Sequence, residues 1–396
     1  MARSNLFQIV RYRKSQKGVP GLLSGVRQLL ASLCPVGNLN FLGLSIDQAT
    51  FALGQKIQQA PSEQAYISQP ETEAAQRAYN RFIQKAPAED LFSLLISRLP
   101  EKFFSGPGTL WILDDTPLRK SGQRMEKAGK FHHNGAFFHG YEMPVLVSQS
   151  DEGVFPMGFA LKGKDCPSKI DLSKNLLEAA LNRGFSPDFL VFDAWFTVAE
   201  LLAFADNKNL RFVGPLKMNR ILFLNGRKTS PKKLLKKLDH RTYKSFEVAL
   251  SNGRTYRLVT FRRQLSSGKT QVEFLLTNDW VSPPKTIAQA FLKRWGIETF
   301  FRSAKQSFAL EKFHNRSWSV IQHHLAFTFC AMLLVAYLRS LFEVLKGKSL
   351  AFVRTFGFFK RVRLVLKTAN NLSMVIWHTI PNPLYFKRFG LHSVGV

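Results

Sequence analysis

The stretch FLKRWGIETFFRSAK at 291–305 holds one acid, Glu298, among Arg294, Arg302 and Lys305. Read as a helix at ~100° per residue, Arg294 and Arg302 lie roughly 40° either side of Glu298, and Phe291 and Lys305 within about 20° of it. All five share one stripe. Trp295, Ile297, Phe300, Phe301 and Ala304 surround that stripe, so the helix is expected to pack inside a domain. Two chemistries fit the pattern. An i,i+4 ladder, Arg294–Glu298–Arg302, would sit on a solvated face. Alternatively, the bases keep the carboxylate ionised as a metal ligand and themselves grip phosphates.

Two further acids follow apolar runs: Asp114 in TLWILDD (109–115) and Asp193 in FLVFDAWF (189–196). An acid placed there is costly to bury unless it binds something, and the strand ends of α/β sheets are where sites gather. Asp193 could instead cap the helix that begins at TVAELL. Taken together, Asp114, Asp193 and Glu298 suit two divalent ions about 3.5–4 Å apart, which activate a water or a 3′-hydroxyl on one side of a phosphorus and stabilise the leaving oxygen on the other. Mg²⁺ keeps several waters and borrows ligands from the substrate phosphate, so three acids suffice without His or Cys. Asp115 competes with Asp114, because successive strand residues face opposite sides and only one can point inward.

The whole chain favours a polyanion partner. Its 396 residues carry 56 Lys and Arg against 27 Asp and Glu, a net charge of +29. No acid precedes Asp47 and none follows Glu343, while bases are frequent in both tails, and a third basic block lies at 217–244. Cys34, Cys166 and Cys330 form no C-x-x-C pair, which excludes a zinc ribbon or a disulfide framework and points to a reducing, cytosolic setting. No signal peptide is expected. The most apolar window, LAFTFCAMLLVAYL at 325–338, is shorter than the roughly 20 residues of a membrane span, so a buried helix is expected there.

The elements that must position the acids follow from periodicity. Residues 1–100 read as helices and turns. After Gly108 come a strand at 109–115, two strands within 143–163 around the turn Ser150–Gly153, and a helix at 171–184 closed by Gly184. A strand at 189–196, a helix and the strand LRFVGPL follow, giving an α/β domain around a mixed sheet. Residues 218–280 alternate apolar and polar around Asn-Gly and Ser-Gly turns, which predicts a small antiparallel β insertion. One helix is expected over roughly 284–312 and an apolar one over 320–346. The expected divisions are a helical, basic, DNA-binding region at 1–104, the first part of a catalytic domain at 105–217, the insertion at 218–280, the Glu298 helix and closing helices at 281–345, and a basic segment at 346–396.

On these residues the chain resembles the DDE transposases of bacterial insertion sequences, in the branch marked Tyr-x2-Arg-x3-Glu-x6-Lys. Here the match is Phe291-x2-Arg294-x3-Glu298-x6-Lys305, with Phe for Tyr, and ILDDT and VFDAWF resemble the blocks of the two catalytic Asp residues. The resemblance covers about 105–345. It implies a ribonuclease H-like mixed sheet flanked by helices, and Mg²⁺ or Mn²⁺ held as two ions by Asp114, Asp193 and Glu298. It also implies DNA contacts from Arg294, Lys305 and Arg302, and cut-and-paste transposition of double-stranded DNA, element ends and target alike. A homodimer on DNA in the bacterial cytoplasm, at the nucleoid and not at a membrane, belongs to the same expectation. Members of this branch can pass through a hairpin that needs a flipped base stacked on an aromatic. Trp195, Trp280 and Trp295 are candidates, with a core role the plainer expectation for each. The alternatives are a catalytically inactive DNA-binding descendant, or a nuclease that cleaves without joining.

Overall fold

A computed structural model describes residues 84–341, except 123, 134, 237–242, 265–267, 269 and 314, together with Val26, Arg27, Leu30, Ala31, Leu33, Cys34, Ala49 and Leu53. Most of the expected N-terminal helical region, and all of the basic segment 346–396, lie outside the described residues. The chain divides into two compact units.

The unit formed by Pro100–Ser121 and Ala128–Phe300 holds the sheet. Its strands are β1 (Leu110–Arg119), β2 (Gly129–His133), β3 (Ala136–Ser150), β4 (Gly153–Phe159), β5 (Phe189–Phe192) and β6 (Phe212–Pro215). They continue with β7 (Leu222–Leu224), β8 (Arg227–Thr229), β9 (Tyr243–Ala249), β10 (Thr255–Gln264) and β11 (Thr270–Thr277). Helices α2 (Lys169–Leu181) and α3 (Ala199–Asn207) link β4 to β5 and β5 to β6, and the short α4 (Pro231–Leu235) follows β8. β3 pairs antiparallel with both β1 and β4, β5 pairs parallel with β1, and β6 pairs parallel with β5. A three-stranded antiparallel meander continued by two parallel strands through helical crossovers is the ribonuclease H-like sheet, as expected.

Local sequence explains the elements. Gly153 takes φ +131° at the tight turn that registers Ser150 against Gly153. Ser168 caps α2 by accepting from the Asp171 amide at 3.0 Å, and Gly184 ends the segment with φ +82°. The run FLVF of β5 is buried on both faces, as a central parallel strand must be. Trp111, Phe192, Phe196, Phe212 and Tyr256 are among the largest buried side chains, and the Trp111 indole nitrogen donates to the Phe104 carbonyl at 2.8 Å.

One expectation about this unit is extended and one changes. The expected antiparallel β insertion is present, and its strands extend the main sheet: β11 pairs antiparallel with β6, and the order runs on through β10, β9, β7 and β8. The reason is that β6 would otherwise expose a hydrogen-bonding edge. The single helix expected over 284–312 is two helices, α5 (Pro284–Lys293) and α6 (Trp295–Ser307), which meet at Arg294. There Arg294 N bonds Phe291 O and Ile297 N bonds Arg294 O, both three residues back, so the α-helical ladder is tightened and interrupted. The common stripe from Phe291 to Lys305 therefore does not survive as one continuous helix.

The other unit takes the described parts of Met1–Leu99, Gly122–Lys127 and Phe301–Val396; the division falls within α6. It contains α1 (Ala88–Arg98) and α7 (Trp318–Leu341). Phe92 meets Phe329 edge-to-face at 6.0 Å, and the Trp318 amide at the start of α7 donates to Glu126 at 2.7 Å. Helix α7 begins at Trp318, close to the expected 320, and is described as far as Leu341. By length and composition Trp318–Tyr337 is long enough to cross a membrane, but 83% of its most apolar window is buried inside the protein. Two of its buried polar groups are paired inward, His324 with the Ala309 carbonyl and the Thr328 hydroxyl with the His324 carbonyl.

Candidate active site

Register brings two of the acids together. Leu113 of β1 is paired with Phe192 of β5, so Asp114 and Asp193 are the next residues along adjacent parallel strands. Asp114 does not end its strand, as the sequence suggested. β1 runs on to Arg119, paired with β3 alone, because β5 stops at Phe192. Asp114 thus sits where one edge of β1 opens.

The third acid arrives with its own base. Arg294, at the α5–α6 junction, donates from Nη1 to Asp114 Oδ2 at 2.8 Å, across 180 residues of sequence. Its Nη2 reaches Glu298 Oε1 at 3.3 Å. The Arg294–Glu298 rung of the expected ladder is present, but it points at Asp114 and not at bulk solvent. Asp193 does not cap α3. Its Oδ1 accepts from the amides of Trp195 at 2.9 Å and Phe196 at 3.2 Å, closing the turn after β5. Thr197 ties that turn to β6 through a 2.8 Å bond to the Pro215 carbonyl.

Burial holds Asp114 and Asp193 above the usual carboxylate range. The Asp114 carboxyl is pushed up to about 7, chiefly by burial and then by Asp193, against the opposing pull of Arg294. Asp193 is also raised, again mainly by burial, with Asp115 adding to it and the Phe196 and Trp195 amides opposing. Asp115 turns the other way. Its Oδ2 pairs with Lys169 Nζ at 3.1 Å, and Lys169 reaches Glu142 at 3.3 Å. Of the two candidates, Asp114 faces the Arg294–Glu298 side and Asp115 faces a buried lysine.

Among the described residues, no three or more His, Cys, Asp or Glu side chains stand close enough together to share a metal ion. The Arg294 guanidinium, held by Asp114 and Glu298, stands where a cation would neutralise them. The donor set itself is all carboxylate, which suits a hard ion such as Mg²⁺ or Mn²⁺.

The remaining sequence-named residues fall as follows. Lys305 pairs with Glu311 at 2.7 Å, and Arg302 is exposed. Phe291 is buried, with the Arg294 guanidinium 5.9 Å from its ring centre. Trp195, Trp280 and Trp295 are not core residues: they are 39%, 49% and 59% exposed. Trp195 and Trp280 lie just past β5 and β11, and Trp295 opens α6. Lys169 and Glu142 were not singled out from sequence, and nothing in PSKID or GYEMP marks a buried ion pair.

Residues 105–334 match the family model described as a transposase DDE domain. No curated protein sequence matches the chain. Among solved structures, similarity extends to a piggyBac transposase synaptic complex with hairpin DNA, at 12% identity and TM-score 0.45, covering 95% of this chain and 86% of that one. It extends also to the NurA nuclease from Sulfolobus solfataricus, at 11% identity and TM-score 0.27, covering 55% of this chain and 82% of that one.

Proposed function

The chain belongs to the transposase DDE domain family, and we propose that it catalyses metal-dependent DNA cleavage and strand transfer at the ends of an insertion sequence, moving the element by a cut-and-paste route. One observation supports this most: Asp114 and Asp193 leave adjacent parallel strands in register, and Arg294 links Glu298 to the first of them. Asp114, Asp193 and Glu298 would hold Mg²⁺ or Mn²⁺. Bound there, two such ions polarise the scissile phosphate and supply an activated water or 3′-hydroxyl.

The chain's own residues do the rest. Before DNA arrives, Arg294 neutralises two of the acids, so the cluster tolerates burial. Its planar fork matches a phosphate as well as a carboxylate, which lets it exchange one for the other when DNA enters. Lys305 and Arg302, further along α6, offer positive charge for the backbone beside the transferred end. Trp195, Trp280 and Trp295 present exposed ring faces suited to an unstacked base. A net charge of +29 gives general affinity for DNA, and about 6–10 phosphate contacts would weaken binding by about 10³–10⁵ between 50 and 200 mM salt. Action as a homodimer in the bacterial cytoplasm, on the nucleoid, completes the proposal.

The test is a cleavage and strand-transfer assay on DNA carrying the flanking element ends, comparing wild type with Glu298→Gln in Mg²⁺ and in chelator. Wild type should cut and join only with metal, and the variant should bind DNA and do neither. Equal behaviour of the two proteins would reduce Glu298 to an ion-pair partner. The missing phenolic hydroxyl at Phe291 supports one second reading, a descendant that binds DNA without chemistry, and wild type inert in every metal would establish it. Cutting without joined product would instead identify a nuclease.

A further inference from the structure

Directly behind the acids lies a second cluster that the proposed chemistry does not use. Lys169 is the first residue of α2, and its side chain is 5% exposed. Its ammonium is shared between Asp115 and Glu142, whose side chains are 7% and 10% exposed. It also sits 3.6 Å from the centre of the Trp195 ring. A cation at a helix N-terminus opposes the helix dipole, and burying an ammonium is costly. A feature that breaks two local rules at once, beside a site, is where a functional demand should be sought.

The connections show what that demand is. The Asp115 amide donates to Asp114 Oδ1 at 2.9 Å, and the Trp195 amide donates to Asp193 Oδ1 at 2.9 Å. Lys169 thus grips the residue after Asp114 and the ring two residues after Asp193. Only the Lys169 ammonium separates the Asp115 carboxylate from the Trp195 ring, at the turn whose amides hold Asp193. Left without a partner, the Asp115 carboxylate would be a fourth acid competing for any cation in the cluster.

We propose that Lys169 is a positioning residue that sequesters Asp115, so that β1 contributes one carboxylate, Asp114, to the metal site. The proposal rests on the assignment of Asp114, Asp193 and Glu298 as metal ligands. A purely structural lysine would lower stability and leave metal affinity unchanged or weaker. A sequestering lysine has the opposite signature, because more ligand charge tightens cation binding while misplaced ligands impair chemistry.

The test measures Mn²⁺ binding to the full-length protein by electron paramagnetic resonance, alongside DNA cleavage. Lys169→Met should bind Mn²⁺ about tenfold tighter and cleave about 10- to 100-fold more slowly. Adding Asp115→Asn should return both towards wild type. If Lys169→Met does not fold, the triple variant Lys169→Met/Asp115→Asn/Glu142→Gln has no buried charge to compensate. It should fold, bind Mn²⁺ as wild type does and still cleave. Wild-type or weaker Mn²⁺ affinity in folded Lys169→Met overturns the proposal, as does a folded triple variant that has lost binding or cleavage. Asp114→Asn is the control for the underlying assignment: if it leaves Mn²⁺ binding unchanged, that assignment fails and sequestration fails with it.

Discussion

Two acid–base–acid groups sit back to back on β1, at Asp114 and Asp115, and they differ in exposure and in the base they use. Asp114, Arg294 and Glu298 have side chains 15%, 19% and 37% exposed; Asp115, Lys169 and Glu142 are 7%, 5% and 10% exposed. The first group is wet at one end, and its base is a guanidinium whose fork fits phosphate. The second is sealed, and its base is an ammonium beneath an indole. Ion pairs of like composition thus serve different ends. The open one can exchange partners, while the closed one holds the backbone around it, because breaking a buried pair strands an uncompensated charge.

The largest expected difference between them is in stability. In chelator, Lys169→Met should cost about 3–5 kcal/mol, the loss typical of one partner removed from a buried pair. Arg294→Met should cost about 1 kcal/mol, because its acids reach water or take up protons. Denaturant unfolding at one pH measures both, and equal losses would erase the distinction between an open and a closed group.

A second contrast is in pH dependence. Asp114 titrates at about 7 in the folded chain, against about 3.9 when unfolded. The folded state therefore binds the extra proton between these values. Its contribution to stability is complete below about pH 4 and is lost as pH rises through about 7. Asp193 is raised too and acts in the same direction. Melting temperature in chelator should fall between pH 5 and 8 by several degrees, about what 1–2 kcal/mol produces in a domain of this size. Saturating Mn²⁺, which requires the ionised acids, should reverse the slope. A flat profile in chelator would mean that Asp114 is already ionised at pH 5.

These contrasts mark what could be read from sequence. Strand and helix order through β6 was readable apart from β2 and the first part of β3, because FLVF, LRFVGPL and the 171–184 helix carry clear periodicity and caps. The spacing of Phe291, Arg294, Glu298 and Lys305 singled out the acid on α6, and apolar runs ending in Asp singled out the two that the register brings side by side. Sequence did not reveal that β11 joins β6, because alternation shows that a strand has two faces and not which neighbour it pairs with. The break at Arg294 was hidden as well, since KRWGIE contains no proline and continues a helical pattern. Lys169 was invisible for a deeper reason. A buried lysine is defined by Asp115, Glu142 and Trp195, which are distant in sequence and meet only when α2 packs beside the sheet.

The last contrast is between two glycines, one beneath each side of the site. A Cβ at Gly214 would fall inside van der Waals contact of the Phe192 ring and the Thr197 hydroxyl. Both groups are fixed, the ring in the core and the hydroxyl by its bond to Pro215. Gly214→Ala should therefore cost about 1–3 kcal/mol as overpacking, and it should slow cleavage by displacing Asp193, one residue past Phe192. A Cβ at Gly296 meets the end of the Gln149 side chain, whose buried oxygen has no hydrogen-bond partner among the described residues. A long side chain can turn aside, and Ala gains about 1 kcal/mol over Gly in helix propensity, so Gly296→Ala should change stability by less than about 1 kcal/mol. It lies between Arg294 and Glu298, so any cost should appear instead in the Mn²⁺ affinity of the open group. A loss at Gly296 as large as that at Gly214 would mean that the Arg294 side of the site is packed as tightly as the Asp193 side.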